Sequence, residues 1–256
     1  MIPRLLNSSK CSLVIKNTIE RIQIRGIYTI PDVPYSKRGI ENFLSAKSIQ
    51  QHLQHHKTDV EKANNLVLRT PWEHTTINQA ISQSFSNKED AQFFNAVSSH
   101  FNHSFFWRSI TDSPNEITAH MLKAIEIDFG SFKIFQQRFS QNASALNGQG
   151  YTWLVFHDKT LKIINTFDSG SPLELRNCYP LLCLDLFEHS YLLDYDNNKN
   201  KYIANFWNVI NWEFVESKFL NALIYDREYK LKIEDLVMKQ ATREEINEIK
   251  KGQEEK

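Results

Sequence analysis

The sequence predicts an α+β fold with a helical first half and a small sheet in the second half. Three observations predict it. Apolar residues recur at three- and four-residue steps from about residue 45 to residue 146, two runs rich in β-branched and aromatic side chains follow a glycine at 148, and helical spacing then returns. With 256 residues, 41% hydrophobic and 12% aromatic, the chain has enough apolar surface for a sizeable core, which excludes wholesale disorder.

Taken in order, Ser45 to Leu66 reads as a helix that carries His52, Leu53 and His56 on one face. Asp90 to Trp107 reads as a second, with Phe93, Phe94, Val97, Phe101 and Phe105 at helical steps. Pro114-Asn115 interrupts the chain; Ile117 to Phe129 and Phe132 to Leu146 follow as helices separated by Gly130-Ser131, with Ser131 as N-cap. Tyr151 to His157 and Leu161 to Phe167 are strands joined at Asp158-Lys159-Thr160, a hairpin signal. Leu181 to Leu186 reads as a third, buried strand, and Glu188 to Tyr195 and Tyr202 to Leu220 as helical. Tyr225 to Lys256, with eight basic and nine acidic residues, reads as a solvated helix or frayed tail.

The first 30 residues stand apart, with five basic side chains (Arg4, Lys10, Lys16, Arg21, Arg25) against Glu20 alone. Residues 1–26 read as a mitochondrial targeting segment, or else a disordered basic arm. The domains expected after it are a helical unit at 27–115, an α+β unit at 116–222 and a charged helical extension at 223–256.

Lys+Arg and Asp+Glu balance at 30 each, which argues against a strongly basic nucleic-acid binder, so any RNA contact is local. No apolar run approaches the roughly 18 residues of a membrane span. Cys11, Cys178 and Cys183 form neither a disulfide framework nor a CxxC zinc pair, which points to a reducing compartment.

The chemistry lies in the histidines. Asp185 and His189 stand four apart at the end of a buried strand, where an isolated carboxylate is costly unless paired or bound to a cation. His52 and His56 lie one turn apart on one helix; His100 and His103 share another. Singly, each is more readily a hydrogen-bonded core or surface histidine than a metal ligand, and spacing alone does not decide.

The segments together resemble the iron/manganese superoxide dismutase family. Pro31-Asp-Val-Pro-Tyr35 resembles its PxLPY, Asn102 to Trp107 its NHSxFW, Asp128 to Phe132 its DFGSF and Asp185 to Tyr191 its DxWEHAY, while Trp207 to Trp212 is identical to its WNVINW. The resemblance covers residues 30 to about 220. It implies a helical hairpin packed on a domain with a three-stranded antiparallel sheet, and one iron or manganese ion held by His52, His103, Asp185 and His189. It also implies a role for His56 beside the site and for Glu188 in reaching a partner subunit, although a glutamate in the first turn of a helix equally suits the helix dipole.

Around these donors the sequence departs from the family pattern. Val60 occupies the position of a tyrosine, Phe187 that of the tryptophan in DxWEH, and Leu192 that of the second tyrosine in EHAYY. An amide that would hydrogen-bond solvent at the metal is expected at Asn147, ahead of Gly148-Gln149-Gly150-Tyr151, or four residues before His103, where Ser99 stands. Losing one such outer group typically costs 10- to 100-fold in activity or metal affinity.

The degraded surroundings, the basic leader and the charged extension together resemble the superoxide-dismutase-like proteins of the fungal mitochondrial small ribosomal subunit. They imply a structural role in the mitochondrial matrix, with ribosomal proteins and rRNA as partners, dimer-like pairing with a related chain, no membrane association, and a metal site that holds iron or manganese or stays empty. Lys57, Arg69, Lys88 and Arg108 are candidate phosphate contacts. The alternative reading is a divergent mitochondrial iron/manganese superoxide dismutase.

Overall fold

The computed structural model describes residues 28–224, 226 and 228–240. The basic leader, Cys11 and residues 241–256 lie outside these.

Helix α1, Ala46–Val67, starts where the Ser45 hydroxyl accepts a hydrogen bond from the Ser48 amide at 3.1 Å. Its buried stripe of Ile49, His52, His56, Val60, Ala63 and Val67 faces α3, Ala91–Ser109. Helix α3 is buried on most sides, because α1 packs against one face and the sheet against another. Between them lies α2, Ile77–Ser84, opened by a reciprocal capping pair of Thr76 and Gln79. Eight residues show too little periodicity to announce α2 in the sequence, where its Thr-x-x-Gln cap is the available signal.

Helices α4, Ala119–Phe129, and α5, Phe132–Ala145, are separated as expected. Gly130 at φ 89° ends the first, and the Ser131 hydroxyl accepts from the Ile134 amide at 3.2 Å to cap the second.

Strands β1, Gly150–His157, β2, Thr160–Phe167, and β3, Cys178–Asp185, form one antiparallel sheet in the order β2-β1-β3. Asp158 and Lys159, at φ 48° and 65°, make the two-residue turn whose twist suits a tight hairpin. The third strand begins three residues earlier than the apolar run implied and stops at Asp185, because Cys178 to Pro180 pair with the far end of β1.

Helix α6, Glu188–Tyr195, follows. The single helical span expected from Tyr202 to Leu220 is instead two helices, α7, Lys199–Phe206, and α8, Trp212–Leu223. Residues 207–210 break it: the Thr111 amide donates to the Val209 carbonyl at 2.8 Å and the Asn211 amide to the Ser109 carbonyl at 2.9 Å. This crossing ties the end of α3 to the second half of the chain, and the Asn211 side chain then caps α8.

Of the solvated helix or frayed tail expected of the charged extension, the described part is a helix, and it is docked and not wholly solvated. Residues 228–240 form a helix, α9, that docks through buried Tyr229 and Ile233. The Tyr229 hydroxyl donates to Asp128 Oδ2 at 2.7 Å, and its ring meets Phe156 and Phe219 edge-on. Two apolar residues were enough to anchor a segment whose average composition is polar.

Candidate metal centre

Four elements converge below the sheet. His52 comes from the second turn of α1, His103 from the middle of α3, Asp185 from the last position of β3 and His189 from the first turn of α6. One nitrogen or oxygen from each lies within 4.8 Å of all the others. Asp185 is fully buried, His52 and His103 nearly so, and His189 is half-buried.

The carboxylate divides its work. Asp185 Oδ1 accepts from the Phe187 amide at 2.9 Å, which fixes the turn into α6 and hence the position of His189. Oδ2 points among the imidazoles, 3.2 Å from His52 Nε2 and 3.7 Å from His103 Nε2. The His103 and His189 Nε2 atoms approach to 3.5 Å. His103 Nδ1 faces the Ser99 carbonyl at 3.0 Å and Asp59 Oδ2 at 3.4 Å; both are acceptors, so the proton sits on Nδ1 and the Nε2 lone pair is left for the cage.

The walls are apolar. His52 lies against Phe106 and Trp107, at 5.6 and 4.5 Å between ring centroids, and His189 is stacked between Phe187 and His55, at 5.1 and 4.6 Å. Burial therefore disfavours the charged form of two of these imidazoles: it lowers the pKa of His52, and that of His189 to about 3, against the pull of Asp185. Burial alone would raise the Asp185 carboxyl, but the close approach of His52, with His189 and His103 behind it, brings it below the ordinary carboxylate value.

These donors fit a cation. Both ring nitrogens of His52 and Asp185 Oδ2 are buried without a hydrogen bond, although two of these atoms sit only 3.2 Å apart. Buried polar atoms are rarely left unpaired, and three imidazoles with one carboxylate match the oxygen and nitrogen preferences of iron and manganese.

The chain is similar in sequence to a wide set of known proteins. The model for the alpha-hairpin domain of iron/manganese superoxide dismutases matches residues 27–111, and that for their C-terminal domain matches residues 117–218. The chain belongs to the iron/manganese superoxide dismutase family. It is 33% identical over 192 residues to an iron superoxide dismutase of Entamoeba histolytica, covering 75% of this chain and 98% of the relative. It is 37% identical over 192 residues to one from Babesia bovis, covering 73% and 93%, and 35% identical over 191 residues to one from Escherichia coli K12, covering 73% and 96%. Family membership and the three-histidine, one-aspartate cluster support an iron or manganese ion as cofactor.

The residues assigned to the surroundings of the superoxide dismutase site fall in different places. His56 is fully buried: its Nδ1 accepts from Trp107 Nε1 at 3.2 Å, which leaves the proton on Nε2 to donate to His100 Nδ1 at 2.8 Å. Burial lowers His56 to about 2 and His100 to about 4. Asn147 does not join the site; it is exposed, in the turn where Gly148 at φ 85° leads into β1. Val60 is buried and offers no proton, and Ser99 contributes its carbonyl to His103. Glu188 is exposed at the start of α6, as are Lys57, Arg69, Lys88 and Arg108 on other elements. Sequence reasoning missed Asp59 behind His103 and His100 behind His56. Nothing short of the packing of α1 on α3 could have paired them.

Proposed function

We propose that this protein is a divergent superoxide dismutase that uses iron or manganese held by His52, His103, Asp185 and His189. The observation that carries the reading is the set of buried, unpaired donor atoms of His52 and Asp185 turned toward two further imidazoles. When bound, the metal supplies the one-electron chemistry: two superoxide ions and two protons become one dioxygen and one hydrogen peroxide. The chain supplies the rest. Asp185 balances the metal's charge, the Ser99 carbonyl and Asp59 hold His103 in the tautomer that can coordinate, and Phe106, Trp107 and Phe187 keep bulk water from the donors. The basic composition of the first 30 residues supports a mitochondrial matrix address.

The test compares purified protein loaded with iron, loaded with manganese and stripped by chelation, with dismutation followed by stopped flow. Turnover confined to a loaded form is expected. Stoichiometric metal with no turnover above that of the free ion would overturn the reading.

A second reading, a scaffold in the mitochondrial small ribosomal subunit that contacts its proteins and rRNA and pairs with a related chain, draws support from the surroundings. Val60 has no side-chain proton to give and Asn147 is exposed, and Glu188 and Leu192 on α6 are exposed where a partner could cover them. Sedimentation of the native protein with the small subunit on a sucrose gradient of mitochondrial extract would favour it; migration only as a free oligomer would exclude it.

A further inference from the structure

Tyr151 is the second residue of β1 and stands directly opposite Asp185 on β3. Residues paired across antiparallel strands project from the same face with their Cβ atoms about 5 Å apart, so the phenol leaves the sheet beside the carboxylate of the cage. Its ring meets His103 edge-on at 6.2 Å and packs at 5.3 Å on Phe187, which is itself stacked on His189. The side chain thus borders two of the four donors, Asp185 and His103, and packs on the ring that stacks on a third, His189.

The hydroxyl is out of keeping with this position unless something binds there. Tyr151 is fully buried, and its oxygen has no hydrogen-bond partner. Two residues along the same strand, Trp153 is equally buried but donates to Thr166 Oγ1 at 2.9 Å. Tyr202, a buried phenol that likewise has no partner, belongs to the stack of Phe43, Tyr191 and Tyr195. At position 151 a phenylalanine would fill the same volume without burying an unpaired hydroxyl, and local rules broken without compensation tend to mark working sites.

We propose that the Tyr151 hydroxyl is a catalytic group of this centre, donating a hydrogen bond to the small anion held at the metal in place of the side chains absent at Val60, Ser99 and Asn147. The inference rests on the metal-dependent reading given above. A phenol carries the O–H that such a donor needs. A second element therefore supplies what α1, α3 and the turn before β1 do not.

Wild-type, Tyr151→Phe and Tyr151→Trp proteins, each loaded with iron, distinguish the possibilities by three readouts: iron content, azide affinity from the visible spectrum, and superoxide turnover. Iron content is expected to be equal in all three, and metal-free Tyr151→Phe to melt no lower than wild type, since it loses only an unpaired hydroxyl. Azide should bind about tenfold more weakly to Tyr151→Phe, and turnover should fall by about 100-fold, the lower range for a positioned proton donor. Tyr151→Trp, which restores an N–H, should recover part of the azide affinity. Azide affinity and spectrum unchanged in Tyr151→Phe would overturn the proposal while leaving an active wild type to uphold the enzyme reading. An inactive wild type whose azide affinity still depends on Tyr151 would do the reverse, and a wild type that takes up no iron would sink both.

Discussion

Each donor of the cage is placed by the backbone of a separate element, whereas the groups just outside it are placed by side chains alone. His52 and His103 follow from the packing of α1 on α3, Asp185 from the end of a strand in register, and His189 from a turn fixed by the Phe187 amide. Outside this ring, Val60 is apolar, Asn147 faces solvent, and His56 pairs with His100 and Trp107. Four converging backbones cannot shift one donor without moving a helix or strand. An outer hydrogen bond can be lost at one position and supplied from another, as Tyr151 on β1 illustrates.

The largest effect that would break this comparison is on the cage itself. Asp185→Asn keeps an oxygen for the Phe187 amide but removes the anionic donor; iron affinity measured by competition with a chelator is expected to fall at least 100-fold, beyond the 10- to 100-fold worth of an outer partner. A smaller loss would mean that the carboxylate serves the fold and not the metal.

The outer histidines can be tested in metal-free protein. His100 titrates near 6.5 when unfolded and at about 4 when folded, because burial disfavours its charged form. Below pH 6.5 the unfolded chain takes up a proton that the folded chain refuses. Stability is therefore flat above pH 7 and declines as pH falls toward 4, by on the order of 3 kcal/mol from this group. The buried His52 and His56 and the half-buried His189 act in the same direction. Urea midpoints at pH 7 and pH 5 check this, and His100→Leu should flatten part of the slope; an unchanged slope would show that His100 titrates alike in both states.

A backbone test sharpens the contrast. A Cβ built on Gly150 would stand 2.0 Å from the Thr166 carbonyl oxygen, so Gly150→Ala must push β1 from β2 next to the Tyr151–Asp185 pair. Urea denaturation should show a loss of about 1–3 kcal/mol, as overpacking usually costs. The smallest expected effect is at Asn147. Because the residue is exposed, Asn147→Ala should change stability by less than about 0.5 kcal/mol and leave metal content and azide affinity alone. A clear loss of azide affinity would return Asn147 to the site.

Much of the architecture could be read along the chain. The helical stripes of α1 and α3, the Ser131 cap and the Asp158-Lys159 turn are local features, governed by side-chain spacing and backbone conformation within a few residues. The break at residues 207–210 was not readable, since the partners that impose it are the carbonyl of Ser109 and the amide of Thr111, nearly 100 residues away. Nor was the docking of α9, which depends on Asp128 waiting on another helix.

The sequence by itself determined on which kinds of element the histidines and Asp185 would stand, because periodicity is a property of neighbouring residues, and the family resemblance of its local motifs implied which four of them could hold a metal. Only the tertiary structure decided that Asn147 turns to solvent, that Asp59 stands behind His103, and that the Tyr151 hydroxyl lies buried without a partner. The physical reason is that hydrogen bonding and burial depend on atoms from distant segments, and spacing along one strand or helix carries no record of what packs against it.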